Sequence, residues 1–112
     1  MRVIGGDLKG KKILFLKTSV TRPLRDLVKE SIFNVLQHSN MFNVKIDNAK
    51  ILDLYSGIGS FGLECISRKA NHTIFVESSA DALGLLRENI KNLMVEEKCS
   101  VYQKKNFDFV SK

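Results

Sequence analysis

The sequence predicts an α/β fold built on parallel strands, and three features predict it. Residues 50–62 (Lys50-Ile51-Leu52-Asp53-Leu54-Tyr55-Ser56-Gly57-Ile58-Gly59-Ser60-Phe61-Gly62) run from an apolar stretch carrying one acid into a glycine-rich turn and then a helical pattern. Ile51, Leu52 and Leu54 have the bulk of a strand buried on both faces. Twenty residues beyond Gly57, Thr73-Ile74-Phe75-Val76-Glu77 reads as a second strand ending in an acid. Strand, glycine turn, helix, strand and terminal acid together describe a nucleoside-binding βαβ unit.

Ahead of that unit, Arg2-Val3-Ile4 and Lys12-Ile13-Leu14-Phe15-Leu16 read as strands joined across Gly5-Gly6-Asp7-Leu8-Lys9-Gly10. Glycines in this connection suit a hairpin with a longer, bulged loop, from which the lysines project. Thr21 to about His38 is the strongest helix pattern, with Pro23 in the first turn and Thr21 able to cap. Leu24, Leu27, Val28, Ile32, Val35 and Leu36 form its apolar stripe, and Arg25, Asp26, Lys29 and Glu30 fall largely on the other side. Residues 39–49 are polar with scattered apolar anchors and read as a linker.

Beyond the glycine turn, Ser60 to Lys69 should be helical, with Phe61, Leu63, Cys65 and Ile66 directed inward. Gly57 and Gly59 permit a tight bend, and Gly62 lets the helix approach the sheet. Ser78 or Ser79 can cap a helix running to about Leu93, whose Leu83, Leu86, Ile90 and Leu93 recur at helical spacing. Cys99-Ser100-Val101-Tyr102-Gln103-Lys104 suggests a third strand, and Asn106-Phe107-Asp108 a loop at its carboxyl end, where open α/β sheets bind ligands. Asn106 could meet an adenine edge and Phe107 or Phe109 supply an apolar face; an ordinary turn with two buried phenylalanines is the competing reading.

Asp53 bears on which nucleoside cofactor the turn takes. A dinucleotide lays its pyrophosphate on the turn and the next helix N-terminus, where a carboxylate would repel it. S-adenosylmethionine carries a sulfonium and an ammonium, which a carboxylate suits. Like and unlike charges at about 5 Å differ by several kcal/mol at an effective dielectric near 20. The alternative is that Asp53 caps its own turn.

Charge is unevenly distributed along the 112 residues. Of a net +6, residues 1–30 hold +5, with eight basic side chains (Arg2, Lys9, Lys11, Lys12, Lys17, Arg22, Arg25, Lys29) against three acids. A basic appendage beside a cofactor site suggests a polyanionic substrate held by its phosphates, RNA or DNA; a solvated lysine-rich surface is the bland alternative. No stretch approaches the run of about 20 apolar residues that crosses a bilayer, and the N-terminus lacks the pattern of a signal or transit peptide. Cys65 and Cys99 stand apart without a metal-ligand pattern and read as free core thiols in a reducing cytoplasm; no metal is expected.

Several blocks occur in an order and spacing that resembles the RsmD family. They are Arg2-Val3-Ile4-Gly5-Gly6, Lys9-Gly10-Lys11-Lys12, Thr21-Arg22-Pro23 followed by Asp26, Lys29-Glu30-Ser31-Ile32-Phe33-Asn34, Asp53 through Glu64, Ser67-Arg68 and Phe75-Val76-Glu77. The resemblance covers essentially the whole chain. It implies a Rossmann-like S-adenosylmethionine-dependent methyltransferase fold, incomplete at about three parallel strands, with an N-terminal β-hairpin plus helix. It implies methylation of a guanine N2 in small-subunit (16S) ribosomal RNA, the partner being that RNA or an assembling subunit. Asp53, Tyr55, Ser56, Gly57, Gly59, Glu77, Asn106 and Phe107 would then hold the donor, with Glu77 on its ribose hydroxyls. Arg2, Lys9, Lys11, Lys12, Arg22 and Arg25 would border the RNA. Residues 1–40 would form the RNA-docking part, 41–49 the linker and 50–112 the donor-binding half. Leu24, Leu27 and Lys69-Ala70 depart from the family pattern.

One family element is absent from the sequence. Such enzymes grip the target amine with an Asn/Asp-Pro-Pro-Tyr/Phe turn, and this chain has one proline, Pro23. No catalytic base is therefore assigned. The expectation is the N-terminal part of a longer enzyme, or a truncated product with little activity alone. A dinucleotide-dependent oxidoreductase fragment and a non-catalytic RNA-binding remnant are the other readings.

Overall fold

A run of apolar residues cannot satisfy its backbone and hide its side chains alone, and the two strand–helix–strand units solve both problems on one sheet. The computed structural model describes residues 1–15, 26–38 and 45–104. Along them lie α1 (Asp26–His38), β1 (Lys50–Leu54), α2 (Ser60–Ser67), β2 (His72–Glu77), α3 (Ala80–Leu93), a 3₁₀ turn (Glu96–Lys98) and β3 (Cys99–Gln103). The strands are parallel in the order β1-β2-β3, with Asp53 opposite Phe75 and Glu77 opposite Gln103. This α/β arrangement of three parallel strands is the one the sequence predicts. Predicted residues 16–25, 39–44 and 105–112, with Thr21, Arg22, Pro23, Arg25, Asn106, Phe107 and Phe109 among them, lie outside the described residues.

The strand period of two divides the sheet into unlike faces. Thr73 and Phe75 turn toward the helices and are fully buried. Leu63 and Ile66 of α2, and Leu83, Leu86, Ile90 and Leu93 of α3, close over them together with Ile58. On the other face Leu52, Ile74, Val76 and Tyr102 line an apolar groove of about 270 Å³ with Lys104, and Leu52 and Tyr102 are each 54% exposed. Among the described strands β1 occupies one edge of the sheet.

The helices begin and end where their residues dictate. Ser79 caps α3, its hydroxyl accepting from the Ala82 amide at 3.3 Å, and Met94 ends it in the left-handed conformation. Gly59 starts α2 with φ +91, a conformation that favours glycine. Gly62 answers to space instead of torsion: a Cβ there would run into the Phe75 ring and the Thr73 methyl.

The N-terminal hairpin shortens, in the described residues, to one antiparallel bridge, Arg2 with Lys12, flanked by Val3 N–H to Lys11 O and Ile13 N–H to Met1 O. Its apolar residues Val3 and Ile13 are 1% exposed and join the same core as Leu63 and Leu86. A second cluster holds α1 to α2 through Phe33, Ile46, Cys65 and Ala70, with Phe33 stacked on Phe61 at 5.1 Å between centroids. Ile46 is thus a buried anchor of the stretch read as linker.

Three side chains depart from the sequence reading. Leu52, read as part of a strand buried on both faces, is exposed because β1 is at the edge of the described sheet, and two residues of α1 exchange sides. Lys29, assigned to the polar side of α1, is fully buried, whereas Val35 of the apolar stripe is 50% exposed. The buried line on α1 runs through Lys29 and Phe33, four residues apart, because the lysine meets three oxygen acceptors inside.

Candidate functional site

The carboxyl ends of β1 and β2 converge on the glycine turn, and each contributes an acid. Glu77, the last residue of β2, accepts from the Gly57 amide through Oε1 at 2.7 Å. Its Oε2 accepts from the Ser78 and Ser79 amides at 2.9 and 2.8 Å. Asp53 of β1 accepts from the Gly62 amide at 3.2 Å. Burial pushes the Asp53 carboxyl up to about 6; the Gly62 hydrogen bond opposes this, and the negative charge of Glu77 adds to it. The two acids therefore share one electrostatic environment beside the turn.

The remaining turn residues fall where the sequence puts them. The Ser56 amide and hydroxyl both donate to Val76 O, at 3.1 and 3.4 Å, which ties the turn to β2. The Gly59 amide donates to Ser56 O at 2.9 Å, and Gly57 has φ +56. Tyr55 takes φ +58, and its side chain is 71% exposed at the end of β1. A left-handed backbone costs a bulky residue on the order of 1–2 kcal/mol, a strain that clusters at ligand sites.

The structure thus brings Asp53, Ser56, Gly57, Gly59 and Glu77 together, with Tyr55 at the rim. The Asp53 hydrogen bond reaches past its own turn to Gly62 in the first turn of α2, so the acid braces that helix and places its charge beside the turn. Arg2, Lys9, Lys11 and Lys12 are all exposed on the hairpin. Arg2 and Gly10 line two clefts, one of about 410 Å³ with Met1 and Lys12, the other of about 450 Å³ with Val3, Ile4, Lys9 and Glu30. Arg22, Arg25, Asn106 and Phe107 are outside the described residues.

A family model described as Conserved hypothetical protein 95 matches residues 1–112, the full sequence given. The chain belongs to this family, the RsmD family. Among relatives of this RsmD-family chain, YlbH of Bacillus subtilis is 38% identical over 103 residues, 92% of this chain and 53% of that protein. Ribosomal RNA small subunit methyltransferase D of Haemophilus influenzae is 32% identical over 111 residues, 98% of this chain and 54% of that protein. A solved structure of yhhF from Escherichia coli matches with TM-score 0.81 and 27% identity, covering 100% of this chain and 56% of that one. The chain spans about half the length of the curated relatives it matches.

A set of buried polar residues that sequence reasoning missed joins the hairpin to this turn. Glu64 of α2 is 0% exposed and accepts from the Ile4 and Gly5 amides, each at 2.9 Å. It also pairs with Arg68 at 2.9 Å and Lys29 at 3.3 Å. Burial disfavours its charge, but the Ile4 amide, Arg68, the Gly5 amide and Lys29 outweigh that and hold its pKa below the usual carboxylate range. Ser67 donates to Gly5 O and accepts from the Leu8 amide. Asn89 of α3 accepts from the Leu14 amide at 2.7 Å and donates to Leu14 O and Ile58 O, both at 3.1 Å. The signal was present: Ser60, Glu64 and Ser67 recur at i, i+4 and i+7 in a helix that is otherwise apolar. Cys65 and Cys99 are free thiols, each pushed up to about 12 chiefly by burial, and so are poor nucleophiles.

Proposed function

We propose that this chain is the donor-binding and RNA-docking half of an S-adenosylmethionine-dependent methyltransferase acting on a guanine N2 of small-subunit ribosomal RNA in the cytoplasm. The observation that carries the reading is the Glu77–Gly57 hydrogen bond beside Asp53. The Gly57 amide, which a pyrophosphate would need, is already occupied by a carboxylate, and a second acid lies close by. Such a turn repels phosphate and attracts a cation.

The residues fit this donor. Glu77 Oε1 accepts one hydrogen bond and retains lone-pair capacity for a ribose hydroxyl. Ionised Asp53 favours the ammonium and sulfonium charges, and the missing side chain at Gly59 lets the turn pack on Leu86 and Leu63. When bound, S-adenosylmethionine supplies an electrophilic methyl group. Residues 50–112 would hold it, with Tyr55 and Ser56 at the turn and Asn106 and Phe107 near the adenine. Residues 1–40, joined through 41–49, would dock RNA phosphates on Arg2, Lys9, Lys11, Lys12, Arg22 and Arg25. Guanine N2 is a poor nucleophile because its lone pair is delocalised, so positioning it in line with the methyl–sulfur bond is worth several kcal/mol. By family resemblance a Pro-Pro turn does this, and no such pair occurs in the sequence. This chain's residues therefore serve binding and docking.

Calorimetric titration with S-adenosylhomocysteine and, in parallel, NADH tests the reading. Heat with the former, lost in Glu77→Ala, is the expected result; heat with NADH alone overturns it.

A further inference from the structure

The Lys29 ammonium is wholly buried and directs its three N–H bonds at three acceptors, one on the hairpin and two on α2. It reaches Arg2 O at 3.2 Å, Ser60 Oγ at 3.1 Å and Glu64 Oε1 at 3.3 Å. Arg2 belongs to the basic hairpin. Ser60 opens α2 directly after Gly59 of the turn, and two residues on, the Gly62 amide holds Asp53. Glu64 in turn grips the hairpin through the Ile4 and Gly5 amides. The buried Lys29–Glu64 pair therefore stands, with Ser67, between the segment bearing Arg2, Lys9, Lys11 and Lys12 and the helix that leaves the glycine turn.

Stability alone is a poor reason for such a group. A buried ion pair must offset its desolvation, and apolar packing usually does as well or better. What an ammonium with three acceptors does supply is fixed direction and length between the pieces it joins. We propose that Lys29 is a positioning residue that registers the RNA-docking hairpin on the donor turn, so that a ligand at either one strengthens binding at the other. The inference rests on the function proposed above and adds a coupling to it. Each ligand orders its own end of one shared junction, and the second ligand meets a junction already ordered.

The test measures the affinity of the 112-residue chain for a short RNA stem–loop with an unpaired guanine, with and without saturating S-adenosylhomocysteine. The wild-type chain should bind the RNA about fivefold or more tightly when the donor product is present. Lys29→Met should abolish that ratio, but it leaves Glu64 with one cation fewer and can unfold the chain. Ser60→Ala is the decisive variant, because it removes the Lys29 contact that lies next to the turn and spares the ion pairs. It should keep each single-ligand affinity within about twofold while the ratio falls to unity. A wild-type ratio in Ser60→Ala overturns the proposal, as does a wild-type chain that binds both ligands independently. Absence of any S-adenosylhomocysteine binding to the wild-type chain is a different result, and removes the functional reading as well.

Discussion

The carboxylate of Glu77 accepts the amide hydrogen of Gly57 at 2.7 Å, across twenty residues of chain and from one strand end to the neighbouring turn. The same carboxylate takes the Ser78 and Ser79 amides. It therefore shapes the site before any ligand arrives, and Glu77→Ala should remove both shape and charge. Loss of these partly exposed hydrogen bonds should cost about 1–2 kcal/mol of stability. Affinity for S-adenosylhomocysteine should fall by about tenfold or more. Urea unfolding and calorimetry, run on the same preparation, check the two separately.

Asp53 makes the site sensitive to pH. Its carboxyl lies near 6 in the folded chain, against an ordinary 3.8. The folded state thus holds this proton more tightly than the unfolded one. The resulting contribution to stability is fully present below 3.8 and is lost as pH rises through about 6. The loss amounts to about 3 kcal/mol. Asp53→Asn should remove this slope, so the variant gains on the wild-type chain between pH 4 and pH 7, read from denaturation midpoints. Affinity for S-adenosylmethionine should rise with pH and level off above about 6 in the wild type, and stay flat in the variant.

Gly62→Ala tests how closely α2 must lie on the sheet. The added methyl would meet the buried Phe75 ring and Thr73 methyl, neither of which has room to withdraw. A loss of about 1–3 kcal/mol in chemical denaturation is expected.

Asn89 offers a test of the polar brackets. Asn89→Leu keeps the volume and deprives Leu14 N–H, Leu14 O and Ile58 O of their partner. The cost should be about 2–5 kcal/mol. Amide hydrogen exchange at Leu14 should accelerate along with the shift in global stability.

The parts of the chain visible from sequence are those whose cause is local. β1 was legible from Ile51, Leu52 and Leu54, β2 from Ile74, Phe75 and Val76, and α3 from a capping serine and leucines three and four apart. The glycine turn was legible because its spacing ties three glycines to an acid twenty residues on. Lys29 and Asn89 were not, because each reads alone as a solvated residue, and the spacing of Ser60, Glu64 and Ser67 marked a polar line on α2 without naming its partners. Apart from Arg68 beside Glu64, their partners lie 27 to 75 positions away, and only the fold brings a buried lysine to Arg2 O or a buried asparagine to Leu14. The hairpin shows the converse: its lysines are exposed as expected, yet among the described residues pairing across it is a single bridge. Glu64 and Ser67 of α2 and Asn89 of α3 add to its few cross-strand bonds and hold it on the helices.

The central claim is that the bend between β1 and α2, flanked by Asp53 and Glu77, takes a cationic nucleoside and not a phosphate-bearing one. Amide-resolved NMR titration of the chain with S-adenosylmethionine, and separately with NADH, tests it at single residues. S-adenosylmethionine should shift the amides of Gly57, Gly59, Gly62 and Ser78 in a saturable way, with NADH leaving them in place. Saturable movement of those four amides with NADH, and none with S-adenosylmethionine, would contradict it.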